Sequence, residues 1–164
     1  MKKEGYIVIG LAALVAVAAY FSPRSTAKDE AAAHVHSDAA AEEADSLELM
    51  VREAVALMQE GGPPMQAIGM LRKVVEIEPE QASANFYLGY YSIMSGQFEK
   101  AVGRLETVLR VYPDNSDAHF LMAQAQNGIG EREKAITFLN SCLELGPTQE
   151  TKRGAEILLA ELNN

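Results

Sequence analysis

The chain has 164 residues, 48% of them hydrophobic and 23% charged, which suffices for one globular domain and a further segment. Its net charge is −9, and residues 46–164 carry 10 basic and 16 acidic side chains. With no basic stripe to meet phosphate charge, nucleic acid is disfavoured as a partner, and the lone Cys142 excludes an intrachain disulfide.

Residues 6–21, "YIVIGLAALVAVAAYF", form an uncharged run behind Lys2 and Lys3. As a helix it would extend about 25 Å, slightly under the roughly 30 Å hydrocarbon core of a bilayer. Two readings are open for residues 1–21. One is an uncleaved signal anchor and the other a cleaved signal peptide, with Ser25-Thr26-Ala27 or Ala16-Val17-Ala18 offering small residues for cleavage. The length of the run favours the anchor, with a membrane contact through residues 5–21. The expected localisation is a bacterial inner membrane, single-pass, N-terminus inside and the remainder in the periplasm; the alternative is release to the periplasm after cleavage.

Residues 22–45, "SPRSTAKDEAAAHVHSDAAAEEAD", are rich in alanine and acids, with Val35 as the only large apolar residue. Such a segment buries too little surface to offset the entropy of ordering and is expected to be a flexible tether, transiently helical in its alanine tracts. His34 and His36 are solvated tether residues on this reading. A metal site needs three or four ligands held in geometry, so no metal site and no cofactor are expected.

From Glu48 the chain divides into three blocks of 34 residues, 48–81, 82–115 and 116–149. Four columns recur in register: Gly62, Gly96 and Gly130; Ala67, Ala101 and Ala135; Leu71, Leu105 and Leu139; Pro79, Pro113 and Pro147. Glycine turns the chain between two helices where φ must be positive. Alanine fits where two helices cross closely, leucine fills the space beside the crossing, and proline ends the second helix. Each block therefore predicts a helix, a short turn and an antiparallel helix. Residues 148–162, with Ala155, Ile157, Leu158, Leu159 and Leu162, predict a capping helix over the third block, its start weakened by Gly154.

These columns resemble the tetratricopeptide repeat family, here of a membrane-tethered bacterial type. The middle block is the best match, with Leu88-Gly89, Gly96, Phe98, Ala101, Leu105 and Pro113 on family positions. The third block has Arg132 where an aromatic is usual, and the first has Ala54-Val55 and a "GGPP" turn. The resemblance implies an all-α fold: three tandem helix-turn-helix repeats plus a C-terminal capping helix, forming a short right-handed α-solenoid over residues 46–164. It also implies a concave groove lined by positions 2, 5, 9, 12 and 13 of each block. Those positions hold Leu49, Arg52, Ala56, Gln59 and Glu60, then Ser83, Phe86, Tyr90, Ile93 and Met94, then Asp117, Phe120, Gln124, Asn127 and Gly128.

The residues expected to meet a partner are Arg52, Phe86, Tyr90, Ile93, Phe120, Gln124 and Asn127. The competing reading is that Phe86, Ile93 and Phe120 pack between repeats. The carboxylate clamp of some family members has no counterpart, because its positions hold Arg52, Ala56, Tyr87, Asp117 and Leu121. His119 reads as an interhelical packing residue, Cys142 as a buried small hydrophobe in the column of Val74 and Val108, and "PDNSD" as a helix cap rather than a hydrolase constellation. No catalytic setting is expected. The functional expectation is a membrane-tethered adaptor or scaffold that binds a peptide or helix of another protein, with no small-molecule substrate. Two alternatives are a cytochrome c maturation-type accessory holding an unfolded apoprotein, and a self-assembling structural scaffold.

Overall fold

A computed structural model describes residues 27–164, with side-chain surroundings from residue 43. Seven helices and no strand are found among the described residues: α1 (Ala27–Gln59), α2 (Pro64–Ile77), α3 (Ala82–Met94), α4 (Phe98–Val111), α5 (Ser116–Gly128), α6 (Arg132–Glu144) and α7 (Gln149–Leu162). The fold is the expected all-α solenoid of helix pairs. Its compact unit comprises Asp45–Asn164.

The helices start and stop where their sequence tells them to. Pro64 occupies the first turn of α2, where its missing N–H is no loss. Gln81, Asn115 and Thr148 cap α3, α5 and α7 by accepting the backbone N–H of Ala84, Ala118 and Thr151. Pro79, Pro113 and Pro147 each follow a helix end by two or three residues and prevent its continuation. At the tight turns Gly96 and Gly130 take φ of 71° and 86°, and the N–H of Gln97 and Glu131 reach back to the carbonyls of Ser92 and Gln126. This double reversal satisfies the last carbonyls of α3 and α5.

The first block departs from that pattern by one residue. Gly61, not the in-register Gly62, has the positive φ, and the N–H of Gly62 bonds the Leu57 carbonyl. The helix end thus slips back by one position while α2 still begins in register at Pro64. The rigid Pro63-Pro64 pair supplies the physical reason, since Pro63 is held extended and the extra residue must be absorbed before it.

The alanine and leucine columns form the core. Ala67, Leu71 and Val74, then Ala101, Leu105 and Val108, then Ala135, Leu139 and Cys142, are all buried. Leu47, Val51, Ala54 and Leu88 join the first set, Leu121, Met122 and Ala125 the second, and Ala155 and Leu162 the third. A polar bond repeats beside this core. Asn85 and His119 stand 34 residues apart, and each donates a side-chain N–H at 2.8 Å to a carbonyl six residues back, Pro79 and Pro113. His119 also lies 5.8 Å from the Phe138 ring, so it packs between helices.

Residues 27–45, expected as a tether transiently helical in its alanine tracts, fall within α1, and alanine and glutamate are strong helix formers. One expectation is changed here. The expected localisation is corrected, because among the described residues no helix is long and apolar enough to cross a membrane. Only α1 has the length, and its sequence is interrupted throughout by Asp and Glu, which are expensive in hydrocarbon. The apolar run 6–21 on which that expectation rested lies outside the described residues.

Candidate functional site

The first helices of the pairs, α1, α3 and α5, together with α7, carry two recesses. The first is about 480 Å³ and lies between the C-terminal part of α1 and α3. Val55, Met58 and Gln59 form one wall, and Phe86, Tyr87, Tyr90, Tyr91 and Met94 the other. Tyr90 is 42% exposed and Met94 68% exposed, so large apolar surface stays uncovered at its mouth. The rings brace one another edge to face, Phe86 to Tyr87 at 5.4 Å and Tyr90 to Tyr91 at 5.7 Å, a favourable arrangement for aromatic quadrupoles. Burial, with a smaller contribution from Tyr90, pushes the Tyr91 phenol above its ordinary pKa.

The second recess, about 410 Å³, lies between α5 and α7 with Ile93 and Phe98 at its side. Gln124, Asn127 and Glu161 give it a polar rim, and Phe120, Ile157 and Leu158 an apolar floor. Two glycines make the floor possible. A Cβ on Gly128 would meet the Phe98 ring at 2.4 Å, and one on Gly154 would meet Phe120 at 2.8 Å. Gly154 therefore admits the Phe120 ring against α7. The same two helices are tied by Thr151, whose hydroxyl donates to the Asp117 carboxylate at 2.6 Å.

Of the residues expected at a groove, Phe86 and Tyr90 meet in the first recess and Ile93, Phe120, Gln124 and Asn127 in the second. Phe86 and Ile93 also pack partly against the α4–α5 core, and Phe120 against the α6–α7 core. Arg52 lines neither recess. It is exposed on α1 and pairs with Glu48 at 3.5 Å.

The expectation had missed Val55, Met58 and Tyr91, and all of α7's contribution. The α7 residues were within reach. Gly154, Leu158 and Glu161 stand 34 residues after Phe120, Gln124 and Asn127, so carrying the register one block further finds them. Cys142 is buried, and burial, with a smaller contribution from Asp117, raises its thiol pKa, which leaves a packing residue rather than a nucleophile.

Residues 92–152 match the family model of the tetratricopeptide repeat. No curated protein sequence matches the chain. Several solved structures share its fold. The first TPR of Spaghetti (RPAP3) bound to the HSP90 peptide SRMEEVD is 14% identical, with a TM-score of 0.62 over 71% of this chain and 90% of that one. The Sgt2 TPR domain from Aspergillus fumigatus is 21% identical, with a TM-score of 0.61 over 72% and 80% of the two chains. MamA 41-end from Desulfovibrio magneticus RS-1 is 22% identical, with a TM-score of 0.56 over 71% and 75%. At these identities the likeness establishes the tetratricopeptide-repeat fold.

Proposed function

We propose that the chain is a protein-binding adaptor, not an enzyme, and that the face of α1, α3, α5 and α7 takes a peptide or helix of another protein. The observation that carries this reading is the first recess, an apolar cleft of about 480 Å³ whose mouth keeps Tyr90 and Met94 uncovered. Rigid aromatics bring much contact area at small entropic cost, and a partner side chain inserted between Met58 and Tyr90 would be desolvated on both sides. The second recess would receive a further side chain of the same segment, with Gln124 and Asn127 able to bond its backbone. The peptide-bound RPAP3 repeat domain supports the reading by showing that a related fold takes a peptide.

The test places a photo-crosslinking amino acid at Gln59, beside the first recess, and identifies the captured protein. The full chain and its Tyr90→Ala variant are then titrated with that protein. Tyr90→Ala should lower affinity by about 1–3 kcal/mol, roughly ten- to a hundredfold, with the helical signal retained. Unchanged affinity in a folded variant would remove the first recess from the site.

A further inference from the structure

A second kind of pocket adjoins the first recess across α3, with Tyr91 and Met94 common to both. It is about 440 Å³ and opens between α2 and α4, with α3 as its floor. Three cations line it, Arg72 from α2 and Lys100 and Arg104 from α4, and no carboxylate is among its lining residues. In a chain of net charge −9 this concentration is unexpected. The ion pairs among the described residues engage Arg52, Arg110, Lys134 and Lys152, and none of these lines the pocket.

Two of the three cations are held, and by neutral groups. Arg104 donates to the Asn85 side-chain oxygen at 3.3 Å, and Lys100 to that of Gln97 at 2.7 Å. Arg104 is partly desolvated and faces the like charge of Arg72, and both effects lower its pKa. It remains a cation at neutral pH, so the repulsion is unrelieved. Beside the charges, Met65, Ile68, Leu88 and Tyr91 present apolar surface. The volume falls in the range of small-molecule sites.

We infer that this pocket binds a small anion with an oxyanion head and an apolar body, the head held by Arg72, Lys100 and Arg104 and the body lying on Met65, Ile68 and Tyr91. Two guanidinium groups and an ammonium match a phosphoryl dianion better than a single carboxylate, because each unit of ligand charge then meets a cation and guanidinium donates to paired oxygens. The site does not rest on the groove reading, and Tyr90 does not line it.

The experiment is an NMR titration of the full chain with phenyl phosphate at low salt, beside phenylacetate and phenol. Saturable shifts should map to α2, α3 and α4 around the pocket. Phenyl phosphate should bind more tightly than phenylacetate, and phenol should fail to saturate. Affinity should fall at least about tenfold in the Arg72→Gln, Lys100→Gln double variant, and in the unaltered chain it should fall as sodium chloride rises. Both positions are exposed, so the double variant should keep its melting temperature. If it does not, the salt dependence and the ligand comparison decide alone. No saturable shift with phenyl phosphate, binding of phenol equal to it, salt-independent affinity, or equal affinity in a folded double variant would each overturn the site. Tighter binding of phenylacetate would overturn the phosphoryl preference and leave a carboxylate as the head.

Discussion

The two recesses of the groove face occupy equivalent columns of successive repeats and are built in opposite ways. Phe86 and Phe120 share one column, Tyr90 and Gln124 the next, Ile93 and Asn127 a third. In the C-terminal recess Phe120 is received by Gly154 of the following helix, which spends the ring on repeat-to-repeat packing and leaves a polar rim. In the N-terminal recess the wall facing Tyr90 is Val55 and Met58, and the ring stays partly in solvent. An aromatic at a groove position thus serves the stack where its neighbour offers a glycine, and is available to a partner where it does not.

The largest effect that would break this comparison is Phe120→Ala. If the ring is structural, truncation should cost about 2–4 kcal/mol by leaving a cavity between α5 and α7, read as a fall in the denaturation midpoint. A loss comparable to that of an exposed substitution would return Phe120 to the set of partner anchors.

Filling a glycine seat should do similar damage from the other side. Gly128→Val places a Cβ where the Phe98 ring lies and Gly154→Val one where the Phe120 ring lies, so each should cost about 1–3 kcal/mol by overpacking. Gly103, where an added Cβ meets nothing within 4 Å, is the control. Gly103→Ala at this helix-interior site should stabilise by a few tenths to about 1 kcal/mol.

Tyr90→Ala should change stability by under about 1 kcal/mol, since the ring is already 42% exposed, while it weakens the partner. The contrast with Phe120→Ala in one denaturation series measures the division of labour directly.

The smallest expected effect concerns the base of α6. The folded pKa of Cys142 lies above that of the unfolded chain, so its contribution is fully present below the ordinary thiol value. As pH rises through the interval between the two values the unfolded chain ionises first, and stability should decline. In Cys142→Val, matched to Val74 and Val108, that alkaline component should vanish from denaturation curves measured at pH 8 to 10.

Much of the architecture was legible because a solenoid is nearly one-dimensional: each unit meets only its neighbours, so the same physical demand returns every 34 residues and writes the same residue there. The alanine and leucine columns are buried for that reason, and the capping segment forms a helix over the last repeat. The polar column was half legible, since His119 read as a packing residue but its equivalence with Asn85 needed the carbonyl each one bonds.

What the sequence determined by itself is therefore the helix pairs, their order and the face that first helices share. Tertiary structure decided the rest, because it depends on what stands opposite each residue. Gly154 looked like a defect in a helix start and is the seat of the Phe120 ring, which spacing alone could not announce.

 The one-residue slip at Gly61 follows from a proline pair whose stiffness is local but whose consequence is a helix end displaced against its neighbours. Lys100 and Arg104 stand four residues apart on α4, but Arg72 joins them only because α2 and α4 flank α3. Periodicity records the demands that every repeat makes alike, whereas a pocket is made by the differences between repeats, and only packing brings those differences face to face.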